Sequence, residues 1–304
     1  MKKRLWFSSL TFLLALVMSQ LFFGLAKAET PELPFNQATV NFCHPEDPAT
    51  LFCEDFDGQT FYKDEYDWAR WFRFSANDPA AQHINGIGEL KLQINTLSSA
   101  TDYSNANIST SKINQVDPFL NFGVNTRAEA RIRFSPNVLA SGLNPGTAKG
   151  SAGFLFWNYF KGDLGYYVDP EDGNLENPPQ DVLGFIWMDN QSTLPGWNVF
   201  AVVNGIPAMF QPIDVDMSQY HVYAVERTHD YFRFFLDGVQ LAELPINQEG
   251  GYLFIPDEHK LATDVWFDNA SYNYNLLDFS ANLTFHQLAE NQWVDTDYVR
   301  VTQL

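Results

Sequence analysis

Phe185-Ile186-Trp187-Met188-Asp189 is a run of large apolar residues that closes on a carboxylate. Successive side chains of a strand point to opposite faces. A regular strand here puts Phe185, Trp187 and Asp189 on one face, with Gln191 joining them just beyond. Rings mixed with short polar groups suit a sugar, which offers an apolar ring face and a rim of hydroxyls. Such a face is a candidate floor for a sugar-binding groove. The same rings would also fill a sandwich core, where aromatic side chains dominate the packing.

Outward from this run, the chain is a succession of short aromatic and β-branched segments. They include Trp71 to Phe74, Glu89 to Ile94, Thr126 to Phe134, Ala152 to Tyr159, Val182 to Met188 and Val199 to Val203. Tyr220 to Gly238 reads as two strands around a polar turn at Thr228 to Asp230, with a second turn at Asp237-Gly238. Helical periodicity is nearly absent, and clusters of Gly, Pro, Asn and Asp separate the runs. The composition predicts an all-β sandwich with long loops. In Ala128-Glu129-Ala130-Arg131-Ile132-Arg133-Phe134 apolar and charged residues alternate, so Glu129, Arg131 and Arg133 are expected on a solvated, charge-pairing face.

Lys2, Lys3 and Arg4 precede an apolar run from Leu5 to Leu25, and Ala26-Lys27-Ala28 has the small-x-small form of a cleavage site. Residues 1–28 are read as a signal peptide, 29–50 as an irregular Pro-rich segment and 51–304 as one β domain. Location is then secreted, periplasmic or cell-surface, with no membrane insertion after cleavage. Cys43 and Cys53, the only cysteines, are expected to pair in such a compartment. That closure is worth about 2.7 kcal/mol in the simple chain-entropy treatment. A net charge of −19 makes nucleic acid and anionic membranes poor partners, and it disfavours polyanionic glycans unless a local basic patch overrides it. Asn107, Asn190, Asn269 and Asn282 head glycosylation triplets that matter only in a glycosylating host. Residues 161–181 carry six carboxylates without ordered EF-hand spacing, and a solvated acidic loop is the better reading.

Several runs together resemble the laminarinase-like branch of family 16 glycoside hydrolases. Glu54-Asp55-Phe56-Asp57-Gly58 resembles its opening signature and Gly88-Glu89-Leu90-Lys91-Leu92 the run that follows. Tyr103 to Lys112 and Asn121 to Phe134 resemble its "Tyr-Gly-x-x-Glu-x-Arg" passage. Tyr220 to Gly238 resembles its penultimate hairpin, and Asp297-Tyr298-Val299-Arg300-Val301 its final strand. The resemblance implies a concanavalin A-like jelly-roll β-sandwich over roughly residues 51 to 302. It also implies a structural calcium held by Asp297 against Glu54 and Gly58, with no cofactor for chemistry. A catalytic Glu-x-Asp-x-Glu is expected where this chain has Phe185, Trp187 and Asp189. A one-residue shift of frame brings forward Gly184, Ile186 and Met188, which does not restore the acids either.

Retaining hydrolysis needs two carboxyl groups about 5 to 5.5 Å apart, one as nucleophile and one as acid. Phe185 can supply neither role. Asp189 remains as one candidate acid, and Asp181, of the same strand parity, as another; Glu171 and Glu176 lie in the preceding loop. Trp157 is a candidate second sugar platform, and Trp197, after Leu194-Pro195-Gly196, is expected on a loop rim. His221 is expected to be structural. The favoured function is a secreted, monomeric protein that binds a neutral polysaccharide such as β-glucan. The alternatives are a glycoside hydrolase with non-standard carboxylates and a non-catalytic envelope or adhesion module.

Overall fold

The structure is a computed structural model that describes residues 43, 47–56, 60–62, 72–74, 78–85, 88–110, 122–135, 146–157, 181–203, 205–257, 260–274 and 281–304. All of them belong to one compact unit, Asn36–Leu304. Residues 1–28, expected above to be a signal peptide, nearly all of 29–46, Gly58, Glu171 and Glu176 lie outside the described residues. No helix among the described residues is long and apolar enough to cross a membrane.

In chain order the described strands are β1 (Thr50–Glu54), β2 (Thr60–Tyr62), β3 (Phe72–Phe74), β4 (Ala81–Asn85), β5 (Leu90–Ile94), β6 (Asn105–Ser109), β7 (Thr126–Phe134), β8 (Ser151–Trp157) and β9 (Asp181–Met188). They continue with β10 (Gly196–Val203), β11 (Ile206–Pro212), β12 (His221–Arg227), β13 (Tyr231–Leu236), β14 (Val239–Pro245), β15 (Ala262–Asp268), β16 (Ala270–Tyr274), β17 (Ala281–Phe285) and β18 (Gln292–Gln303). One antiparallel sheet runs β14-β13-β12-β7-β18-β1-β2, with β5 on β18 and β4 on β5. The other runs β11-β10-β9-β8-β15-β6-β3, and β16 and β17 form a separate ribbon. The fold is all-β: a sandwich of two antiparallel sheets of the concanavalin A-like, jelly-roll kind.

Alternation builds the sandwich. In β7 the residues Ala128, Ala130, Ile132 and Phe134 enter the core, while Arg127, Glu129, Arg131 and Arg133 take the outer face. Those charges pair across strands: Arg300 and Tyr298 both reach Glu129, Arg133 reaches Asp295, and Arg131 pairs with Asp297. The turn at Asp237-Gly238 has positive φ at both residues, which glycine accepts without strain. Asp237 also accepts the Val222 N–H and contacts His221 Nδ1. His221 is thus held on both nitrogens, by Asp237 and by the Asp216 carbonyl, in the structural role expected of it. Cys43 and Cys53 are disulfide-bonded.

Between the sheets, Phe185 lies 5.1 Å from the Tyr223 ring, and Trp197 lies 5.0 Å from Tyr223 and 5.2 Å from Phe134. This corrects the groove-floor reading of Phe185 and Trp187. Both are fully buried in the inter-sheet core, because β9 points its odd-numbered residues inward. Trp197 is likewise in β10 and in that core, not on a loop rim. Leu194-Pro195-Gly196 ends a turn and starts a strand, and the indole follows the strand's inward parity. Removing the Trp187 ring leaves a large void between two sheets that cannot collapse around it. Trp187→Ala is expected to lose about 3 to 5 kcal/mol of stability in urea unfolding; a loss under about 1 kcal/mol would place the ring outside the core.

Candidate functional site

The face of the seven-stranded sheet that points away from the core is built by the opposite parity. Strand β8 contributes Leu155 and Trp157, β9 contributes Val182, Ile186 and Met188, β10 contributes Phe200 and Val202, and β15 contributes Trp266. Phe210, Leu194, Tyr272 and Tyr274 pack over them, which closes a second apolar cluster. Phe200 meets Phe210 edge-on at 5.0 Å and Tyr274 at 6.5 Å. Trp157, expected as a platform, is the half-buried end of this cluster.

Two glycines shape this face. A side chain at Gly153 would run into the Trp266 ring at 2.7 Å and the Phe185 carbonyl at 2.2 Å. The Trp266 indole therefore lies close against the β8 backbone, with its N–H donating to Ser151 Oγ (3.1 Å). Gly184 has φ +152, and a Cβ there would meet the Phe154 carbonyl at 2.2 Å. The outward positions of β9 are Val182, Gly184, Ile186 and Met188. None is acidic, and at Gly184 the backbone excludes any side chain.

The acids near this face serve as clamps. Asp189 is fully buried just past β9, so it does not continue the strand's face toward Gln191 as expected. Its Oδ2 accepts Gly150 N–H (3.0 Å), and its Oδ1 accepts Gln191 N–H (3.0 Å), Ser192 N–H (3.1 Å) and Ser192 Oγ–H (3.1 Å). Ser271 Oγ donates to it at 2.6 Å and lies 2.6 Å from His286 Nε2. Ser271 and Asp189 both contact the same imidazole nitrogen. A nucleophilic triad instead needs the carboxylate on the nitrogen opposite the serine. The Gln191 side chain is exposed on the turn. Asp181 faces inward, where its charge opposes the effect of burial on Arg227, whose guanidinium is pulled down to about 10.

Sequence reading did not find Asp268 or its partners. Asp268 ends β15 and accepts from Ser151 N–H (3.1 Å), Ala270 N–H (3.0 Å), Tyr272 O–H (2.9 Å) and Tyr103 O–H (3.1 Å). Burial pushes its carboxyl up to about 6, against the opposing effect of those donors. The Tyr103 and Tyr272 phenols are raised well above their usual range, first by burial and then by Asp268. Burial lowers His286, with Asp189 opposing. The signal was present as Asp264-x-Trp266-x-Asp268, whose alternation places three functional side chains on one face of a strand. Asp264 accepts Asn107 Nδ2–H at 2.6 Å on the same outer face.

Of the residues expected to hold calcium, Glu54 and Asp297 are described and both carboxylates have protein partners. The Asp297 carboxylate is taken by the Arg131 guanidinium, and Glu54 Oε1 accepts the Phe56 N–H (2.9 Å). Gly58 is outside the described residues. Among the described residues no group of three or more His, Cys, Asp or Glu is placed to hold a metal.

No family model matches the chain, and no curated protein matches it. Solved structures do. One belongs to work on endo-acting O-glycanases that prominent members of the human gut microbiota express to initiate mucin breakdown, at 18% identity and TM-score 0.53 over 84% of this chain and 100% of that one. A second is an immunostimulatory antigen and pseudo β-1,3-glucanase of Mycobacterium tuberculosis, at 15% identity and TM-score 0.53 over 84% of this chain and 99% of that one. A third is the endo-β-1,3-glucanase of Pyrococcus furiosus, at 13% identity and TM-score 0.51 over 84% of this chain and 94% of that one. At such identities the likeness is one of fold. The chain has a concanavalin A-like β-sandwich fold. Within that class, it is a fold shared with a pseudo β-1,3-glucanase and an endo-β-1,3-glucanase.

The raised Asp268 carboxyl has a measurable consequence. Between about pH 4 and pH 6 the folded state holds a proton that the unfolded state has lost, so this contribution to stability is full at low pH and disappears as pH rises through 6. A shift of that size corresponds to about 3 kcal/mol. Urea unfolding at pH 4 and pH 7 is expected to show this loss in the wild type and not in Asp268→Asn. Parallel profiles for the two proteins would refute the assignment.

Proposed function

We propose that the chain is an extracytoplasmic carbohydrate-binding protein that uses a glycosidase-type sandwich to bind neutral polysaccharide without cleaving it. The observation that carries this reading is the outward face of β9. Its residues are Val182, Gly184, Ile186 and Met188, and the Gly184 backbone leaves no room for a nucleophile's side chain. Glycosidases need carboxyl groups about 5 to 5.5 Å apart for retention, or about 6.5 to 9.5 Å apart for inversion. Asp189 spends its oxygens on backbone and hydroxyl donors, and Asp181 points into the core beside Arg227. The likeness to a pseudo-glucanase supports the same direction, since that protein couples the fold to a name that denies the activity. The net charge of −19 favours uncharged glycans. The apolar run 5–25 and the Cys43–Cys53 bond support an oxidising location outside the cytoplasm.

A hydrolase reading would have to draw on the acids of β15, whose side chains would need to lean together. Asp264 and Asp268 share the outer face of β15, four residues apart, which separates their backbones by about 13 Å. Affinity gels with laminarin, lichenan, agarose and xylan, run beside a reducing-end assay on the same panel, separate the two readings. Retention on at least one glycan with no new reducing ends is expected. Reducing ends that disappear in Asp268→Asn or Asp189→Asn would replace binding with hydrolysis.

A further inference from the structure

Part of the outer face of the seven-stranded sheet is filled by the apolar cluster on β8, β9, β10 and β15, and the most exposed aromatic rings of the described residues stand elsewhere. Tyr252 is 70% exposed and Phe254 55%. Both lie in Gly250-Gly251-Tyr252-Leu253-Phe254-Ile255, on the segment that follows β14. Burial alternates along it: Ile255 is in the inter-sheet core and Leu253 packs against that core. Extended chain sends alternate side chains to opposite sides. Leu253 and Ile255 therefore anchor the segment, and Tyr252 and Phe254 are its solvent-exposed residues.

Asn247 holds this segment in place. Its N–H donates to the Leu253 carbonyl (2.9 Å), its Oδ1 accepts Ile255 N–H (2.9 Å), and its Nδ2 donates to the Ile255 carbonyl (3.0 Å). The same Nδ2 donates to the His229 carbonyl (2.7 Å), which ties the segment to the β12–β13 turn. There His229 Nδ1 lies 2.8 Å from Asp257 Oδ1, and both side chains are largely exposed. The rings are thus presented by a backbone fixed in advance, which lowers the ordering cost of a contact.

We propose that Tyr252 and Phe254 form a stacking platform for the pyranose rings of a neutral glycan, bordered by the His229–Asp257 pair as a source of hydrogen bonds to hydroxyls. The proposal rests on the carbohydrate-binding reading and gives it a location outside the filled sheet face. Two rings with a polar border match the apolar face and hydroxyl rim of one or two sugars. Their area is far below the roughly 800 Å² per partner of a stable protein interface. The chain's charge of −19 argues against an anionic ligand.

The test compares wild type, Tyr252→Ala, Phe254→Ala and Tyr252→Trp on gels containing laminarin, lichenan, agarose or xylan, with thermal melts and gel filtration alongside. Each alanine variant is expected to weaken retention roughly tenfold or more, with its melting temperature unchanged because the rings are exposed, while Tyr252→Trp retains binding. Equal retention of wild type and both alanine variants would overturn the platform and leave the binding reading standing. No retention of wild type on any glycan would remove the binding reading and the platform with it. A wild-type dimer that Tyr252→Ala dissociates, without change in glycan retention, would assign the rings to self-association and overturn the proposal.

Discussion

Strand β9 is buried on both faces, and its pleat decides what each residue of the central stretch can do. Inward, Phe185 and Trp187 join Trp197, Tyr223 and Phe134 in the packing that holds the sheets together. Outward, Ile186 and Met188 lie in a second apolar cluster under Tyr272 and Tyr274. Because the side-chain period of a strand is two, the two sets cannot trade places without turning every residue of the strand over. The inter-sheet rings fix that parity. The outer face then follows from it, including the exclusion of a side chain at Gly184.

Both buried acids beside this face act on the backbone. Asp189 gathers the N–H groups of Gly150, Gln191 and Ser192, while Asp268 gathers those of Ser151 and Ala270. Each also takes a hydroxyl from the β16–β17 ribbon, Ser271 for one and Tyr272 for the other. Buried carboxylates are tolerated when hydrogen bonds replace their water. Here the donors are partly local and partly distant in sequence, Gly150 and Ser271 for Asp189 and Ser151 and Tyr103 for Asp268, so the two acids tie the ribbon to the sheet. The Asp268 proton affinity records the incomplete balance: donors from Ala270, Tyr272, Ser151 and Tyr103 still leave burial as the larger effect.

The sheet architecture was legible in the sequence because alternation is a local signal. Ala128 to Phe134 displays its burial directly, and Asp237-Gly238 names its turn. The disulfide followed from compartment and cysteine count. The face of a doubly buried strand was not legible. In Val182 to Met188 both parities are apolar, so periodicity does not say which one meets the other sheet. Trp197 was misplaced for the same reason, since its strand is buried throughout. The Asp189 and Asp268 clamps depend on partners up to 165 residues away, such as Tyr103, and no local window contains them.

The apolar identity of the β9 outer positions and the presence of the ribbon depend on one another. An ionised carboxylate pair beneath Tyr272 and Tyr274 would lose its water without gaining the donors that Asp189 and Asp268 have, at a cost of several kcal/mol for each charge. A working dyad therefore needs an open, wet face, whereas the cluster of Ile186, Met188, Phe200 and Trp266 needs a covered one. The sequence meets the second requirement twice. It puts Gly184 where a Cβ would strike the Phe154 carbonyl, and it puts Tyr272 and Tyr274 two residues apart so that both rings fall on the same side of the ribbon. With that face given over to packing, the most exposed aromatic rings of the described residues, Tyr252 and Phe254, stand away from it.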